Sequence, residues 1–181
     1  MVWGLVVVAV LLLMFVGLYN SLVRRRNRVD NAWAQIDVQT KRRLDLIPNL
    51  VETVKGYAAH ETKTFEAVIA ARQAAVSAPS TPAAQLSSSN ALEGTLRQLF
   101  ALSEAYPDLK ANQNFLALQE ELTATEGRIA YARQFYNDEV RGLNESVQKF
   151  PAVVVARMFG FTQREYFPAD PAAQNVPKVQ F

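Results

Sequence analysis

The sequence predicts an all-α protein in which one N-terminal transmembrane helix leads into an antiparallel four-helix bundle with long first and fourth helices. Three observations predict it. Residues 1–23 hold no charged side chain, and all 19 Lys and Arg and all 17 Asp and Glu fall after them. A very apolar terminus is therefore joined to a domain of ordinary polarity. That domain carries apolar residues at steps of three and four over long stretches, the period of one helix face. Seven glycines and eight prolines among 181 residues are too few for a turn-rich β protein, and no alternating run marks a strand. The chain divides into an anchor at 1–23, a helical domain at 24–167 and a loose tail at 168–181, where Pro168, Pro171 and Pro177 stand.

In the anchor every residue from Val2 to Leu18 is apolar or glycine, and the uncharged stretch continues to Val23. As a helix, residues 2–23 span about 33 Å, enough for a hydrocarbon core of roughly 30 Å. Trp3 and Tyr19 stand near its two ends, where interfacial aromatics belong. A cleaved signal peptide would carry a basic segment before the run and small residues after it; here Tyr-Asn-Ser-Leu-Val follows instead. Arg24, Arg25, Arg26 and Arg28 flank the C-terminal side. Under the positive-inside rule they hold that side in the cytoplasm, with the N-terminus outside. Contact with anionic head groups explains them more simply than a nucleic-acid patch does.

The first helix of the polar part follows the stripe Val29, Trp33, Ile36, Leu44, Ile47, Val51, Val54 and Ala58, interrupted at Thr40. Pro48 lies inside it. Because the apolar phase continues past the proline, a kink or a tight junction is favoured over a separate helix capped by Asp45. A second helix is expected over 61–76, with Phe65, Val68, Ile69 and Val76 on one side. The Ser/Ala/Pro-rich stretch 77–90 reads as a long loop. Asn90 and Glu93 have capping-box spacing at the head of a third helix, which carries Leu92, Leu96, Leu99 and Leu102 and is stopped by Tyr106-Pro107. The fourth helix, 112–149, has the clearest stripe: Phe115, Leu118, Leu122, Thr125, Ile129, Ala132, Tyr136, Val140, Leu143 and Val147. After it comes a short, unusually apolar element at 150–161.

The absence of cysteine excludes disulfides, thiolate metal sites and a cysteine nucleophile. The lone histidine, His60, has no second ligand at the spacing of a zinc or di-iron helix and reads as a capping or surface residue. Asp45, Glu52, Glu120, Glu121 and Glu126 read as ion-pair partners for Arg42, Arg43, Arg128 and Arg133 rather than as acid/base pairs. The glycines make no phosphate loop. Asn49, Asn112, Asn114, Asn137, Gln113 and Gln134 are expected to build buried hydrogen-bond networks or, less favourably, to line a cleft. No cofactor, metal or small-molecule substrate is indicated, and a net charge of +2 does not indicate nucleic acid.

Four blocks carry a resemblance. Trp33-Ala-Gln-Ile-Asp-Val-Gln39, Arg42-Arg-Leu-Asp-Leu-Ile-Pro-Asn-Leu-Val-Glu-Thr-Val-Lys-Gly-Tyr57, Tyr106-Pro-Asp-Leu-Lys-Ala-Asn-Gln-Asn-Phe115 and Arg128-Ile-Ala-Tyr-Ala-Arg-Gln-Phe-Tyr-Asn137 occur in this order and resemble the LemA family. The resemblance implies an up-and-down four-helix bundle with a very short exterior N-terminus, single-pass in the inner membrane of a bacterial cell. It supplies no reaction and no catalytic residue. A relative acts in forming the magnetosome membrane, which implies membrane organisation.

The expected function is that of a non-enzymatic scaffold anchored in the lipid bilayer, assembling with itself as a homo-oligomer or with membrane-protein partners. The rivals are a regulatory adaptor that binds one partner through the bundle and an enzyme with an unrecognised carboxylate or amide site. The first and fourth helices, at about 52 and 57 Å, outrun the middle pair of about 24 Å, which predicts a four-helix head on a two-helix stalk. Val29, Trp33 and Ile36 would face Val140, Leu143 and Val147 there. These residues, with Phe150, Val153, Val154, Met158, Phe159 and Phe161 of the apolar element, are the candidate interface between subunits. The more modest alternative is that the element covers the stalk of its own chain.

Overall fold

A computed structural model describes residues 2–169. All its regular elements are helical: α1 (Val2–Lys55), α2 (Thr62–Val76), α3 (Pro82–Ala105), α4 (Pro107–Lys110), α5 (Gln113–Gln148) and α6 (Ala152–Met158). No strand occurs among the described residues. The expected tail lies outside them from position 170 onward. The chain divides into two compact units, Met1–Ile36 with Tyr131–Tyr166, and Asp37–Ala130 with Phe167–Phe181. Both α1 and α5 contribute residues to each unit.

The second unit is closed by an aliphatic core. Leu44, Ile47, Leu50, Val51 and Val54 of α1 pack with Phe65 and Val68 of α2, Leu92, Leu96 and Leu99 of α3, Leu109 of α4, and Phe115 and Leu122 of α5. These are the stripes visible in the sequence. Two starts are set by side chains. Asn112 Oδ1 accepts the Phe115 N–H at 2.9 Å, capping α5. Thr81 Oγ1 accepts the Ala84 N–H at 3.3 Å, with Pro82 at the first helical position, where its missing N–H costs nothing.

That second cap corrects the sequence reading of 77–90 as a loop headed by an Asn90/Glu93 capping box. The connection is only 77–81, and Asn90 and Glu93 lie within α3. Proline and serine favour loops, but Pro82 sits where a helix accepts it. The alanines that follow are the best helix formers. Leu86, Ser89 and Leu92, three residues apart, are all buried.

Pro48 lies inside α1, and the helix runs through it unbroken. A proline cannot donate to the carbonyl four residues earlier, which here is that of Leu44. The Arg72 Nε–H, from α2, donates to that carbonyl at 2.8 Å. A side chain from a neighbouring helix thus supplies the hydrogen bond that the proline cannot make.

In the first unit Leu22, Val29, Ala32 and Ile36 of α1 are buried, as are Ala132, Tyr136, Val140, Leu143 and Val147 of α5. Val155 and Ala156 of α6 are buried too. Helix α6 ends in a Schellman turn. The Phe161 N–H donates to the Ala156 carbonyl at 2.9 Å, and Gly160 takes a φ of 68°, a conformation that disfavours a β-carbon. The chain then continues over 161–166 without regular structure.

Candidate functional site

The four arginines that follow the apolar run are not equivalent. Arg25 is half-buried and donates from Nη1 to the Gly142 carbonyl at 3.2 Å. A β-carbon on Gly142 would lie 2.9 Å from that nitrogen, so the glycine gives the guanidinium its close seat on α5. The Arg26 guanidinium lies 5.2 Å from the centre of the Phe161 ring, within cation–π range. Arg24, Arg26 and Arg28 are exposed and present charge to the surroundings.

N-terminal to them, α1 is long and apolar enough to cross a membrane, and none of its most apolar stretch is buried against the rest of the chain. Leu5, Leu12 and Leu13 are each more than 60% exposed, far beyond the scattered apolar exposure of a soluble surface. The 150–161 element meets the C-terminal end of this stretch. The Phe159 ring lies 5.9 Å from Phe15 and 4.8 Å from Tyr19, and Phe161 lies 5.8 Å from Tyr19, all in tilted or edge-on contact.

A polar clamp holds the segment that follows. Buried Asn144 uses both ends of its amide on one residue: Nδ2 donates to the Arg164 carbonyl at 2.9 Å, and Oδ1 accepts the Arg164 N–H at 2.8 Å. The Arg164 guanidinium pairs with Asp30 at 2.7 Å. The Tyr136 hydroxyl donates to the Glu165 carbonyl at 2.9 Å, and its ring meets Trp33 edge-on at 5.3 Å. Burial pushes the Tyr136 hydroxyl above its usual pKa, with Arg164 opposing and Glu165 and Asp30 reinforcing the shift.

Of the candidate interface residues, Val29, Ile36, Val140, Leu143 and Val147 are buried within the chain, and Trp33, Val153 and Phe161 are half-buried. Phe150, Val154, Met158 and Phe159 are exposed, Phe150 by 83% and Met158 by 65%.

In the second unit Glu121 and Glu126 pair with arginines, as expected, whereas Glu52 pairs with Lys55. Arg43, 1% exposed, donates to Glu126 Oε1 at 2.7 Å and to Ser89 Oγ at 2.9 Å. Glu121 lies 2.5 Å from Arg42 and 3.6 Å from Arg128. A cavity of about 420 Å³ is lined by Asp37, Lys41, Asp45, Arg72 and Gln85 among others. Asp37 in it accepts from Gln85 Nε2 at 2.7 Å. Its two carboxylates stand eight positions apart on α1, about 12 Å along the axis, too far to share one reacting atom. Among the described residues no three His, Asp or Glu side chains converge on a metal position.

His60 is exposed in the turn before α2. The expected amide network is corrected in part: Asn49, Asn114, Gln113 and Gln134 face solvent, whereas Asn137 is half-buried. Asn112 caps α5 and donates from Nδ2 to the Tyr57 hydroxyl at 2.8 Å. The buried amide is Asn144, which the sequence reading passed over, although a polar residue beside Leu143 on the apolar stripe was a signal. Arg72 was missed as well; an unpaired Leu44 carbonyl follows from Pro48, but not which side chain answers it.

A profile of the LemA family matches residues 32–181, most of the chain. The chain belongs to the LemA family. It is also 27% identical over 146 residues to protein LemA of Metamycoplasma hominis, a match covering 79% of this chain and 65% of that protein. The chain thus spans just under two thirds of that relative's length. All four sequence blocks that suggested LemA lie within the matched range, whereas the apolar part of α1 and its arginines precede it. Membership in the LemA family brings no reaction, substrate or ligand with it.

Proposed function

We propose that this chain is a membrane-anchored, non-enzymatic helical scaffold that assembles with itself or gathers partner proteins at the cytoplasmic face of a bacterial inner membrane. The observation that carries the reading is α1 itself. Its first part is strongly apolar and has no buried residue in its most apolar stretch, with ring contacts from Phe159 and Phe161 only at Phe15 and Tyr19, while its later part supplies Leu44 to Val54 to the core. A helix bare over its apolar part and packed over the rest is suited to bridging lipid and a folded domain. In this reading α1 from Asp37, α2, α3 and α5 pack as an antiparallel four-helix bundle. The exposed Arg24, Arg26 and Arg28 hold the domain side inside by the positive-inside rule. The pairing of Glu121 and Glu126 with arginines, and the separation of the cavity's two aspartates, favour a binding or organising role over catalysis.

The test is native mass measurement and imaging of the full-length protein extracted from membranes. A discrete assembly of several copies, or one retaining stoichiometric partners, supports the scaffold. A monomer without partners points to a transient adaptor. Turnover of any substrate in the 37–130 region would overturn the reading.

A further inference from the structure

We infer that α6 is a second membrane contact, a short helix seated in the leaflet beside the Arg24–Arg28 side of α1, with Val154, Met158 and the flanking Phe150 and Phe159 turned into lipid. The inference rests on the membrane-anchor reading and extends it to an element that the apolar run does not contain.

Phe159 packs on Phe15 and Tyr19, nine and five residues before Arg24. At the helical rise these positions lie about 13 and 7 Å beyond the first arginine, toward the interior of the membrane. Side chains of interfacial helices reach roughly 5–10 Å into the head-group and acyl boundary. The ring contacts therefore place Phe159 at or below that level whenever α1 spans the bilayer.

Phe150, Val154 and Met158 recur every four residues, and they are 83, 50 and 65% exposed. The opposite side buries Val155 and Ala156 at 2 and 1% exposure. An element this short has no reason to leave its largest apolar side chains in water when its other side is already packed. The exposed side is continuous, through Phe159 and Phe15, with the bare apolar surface of α1, which fixes the occupant as lipid.

Arg157, in the last turn of α6, is exposed, as are Arg24, Arg26 and Arg28. Such side chains reach out to anionic head groups while their stems lie on apolar surface.

The chain lacks cysteine, so single labels can be placed cleanly. Full-length M158C, V154C, V10C and E120C, each carrying a polarity-sensitive fluorophore, are reconstituted into vesicles of phosphatidylcholine and phosphatidylglycerol containing spin-labelled lipids, with helicity checked by circular dichroism. The expected result is blue-shifted emission and quenching by shallow lipid labels at M158C and V154C, quenching by deep labels at V10C, and quenching of E120C by aqueous iodide alone. If V10C is quenched by lipid while M158C and V154C respond only to iodide, the anchor stands and the inference fails. If M158C and V154C are shielded from lipid label and iodide alike, a second copy covers the face and the inference fails. Loss of lipid quenching at V10C as well would sink the anchor reading together with it.

Discussion

The two units use the same pair of long helices and cover them in different ways. In the second unit the apolar stripes of α1 and α5 meet α2, α3 and α4, and leucine, isoleucine, valine and phenylalanine fill the centre. In the first unit the stripes of α1 and α5 are joined by one short helix and an irregular segment held by side chains: Asn144 on the Arg164 backbone, Tyr136 on the Glu165 carbonyl, Arg164 on Asp30. One unit is closed by aliphatic burial, whose contribution scales with area. The other depends on a few hydrogen bonds, each modest when made and costly when half of it is lost. Single substitutions should therefore act globally in one unit and locally in the other.

The largest effect is expected in the second unit, at its buried charge. Glu126→Ala removes the carboxylate facing Arg43 and leaves a guanidinium at 1% exposure without its counterion. Breaking a buried pair in this way costs on the order of 3–5 kcal/mol; the lower end applies because the Glu126 side chain is 40% exposed. Arg43→Met keeps the volume, removes the charge and should cost less. Denaturant unfolding of the full-length protein in detergent checks the order. A Glu126→Ala protein as stable as the parent would show that water already screens Arg43.

Next is the clamp. Asn144→Ala leaves both the N–H and the C=O of Arg164 without their partner, at a cost of about 2 kcal/mol. The loss should be local. Hydrogen exchange should quicken over 161–166, while the amides of α3 keep their protection. Uniform loss of protection would mean that the two units unfold together and that the contrast drawn above is false.

The Pro48 bond gives a smaller effect with a sharper signature. Arg72→Met deprives the Leu44 carbonyl of its donor and should cost about 1 kcal/mol. In a Pro48→Ala background the helix supplies its own N–H, and the same change should cost nearly nothing. The double-mutant cycle should therefore show a coupling of about 1 kcal/mol, and additive effects would remove Arg72 from this role. Pro48→Ala alone should leave the fold intact.

The smallest effect is tied to pH. The folded state favours the neutral Tyr136 phenol, whose pKa is raised mainly by burial. Its contribution is whole below the unfolded value near 10 and is lost as pH rises through the higher folded value. Above pH 10 the parent should thus lose stability faster than Tyr136→Phe, which has no proton to give up. At neutral pH that variant should be less stable by about 1 kcal/mol. Parallel alkaline profiles would contradict the burial of the hydroxyl.

What could be read in the sequence follows the same division. Helix periodicity reports apolar burial, so the stripes of α1 and α5, the bare apolar run and the family likeness were all legible. The 150–161 element stood out as apolar, but its ring contacts join Phe159 and Phe161 to Phe15 and Tyr19, positions remote in sequence that composition does not pair. The 77–90 misreading has a comparable origin. Serine and proline have two habits, loop and helix start, and Thr81 decides between them through one hydrogen bond. Asn144, Arg72 and Arg164 act on backbone groups remote in sequence, and nothing in a linear pattern names those partners.

If α1 holds the domain on the inner face of a membrane, the far end of the chain lies in the cytoplasm, where a reporter can locate it. A reporter fused after Phe181 and active only in the cytoplasm should be active in intact bacterial cells that express the full-length protein, with the fusion found in the membrane fraction. Neutral substitution of Arg24, Arg25, Arg26 and Arg28 together should reduce that activity by mixing the orientations. A reporter that reads out only on the far side of the membrane, or a fusion recovered wholly in the soluble fraction, would contradict the account.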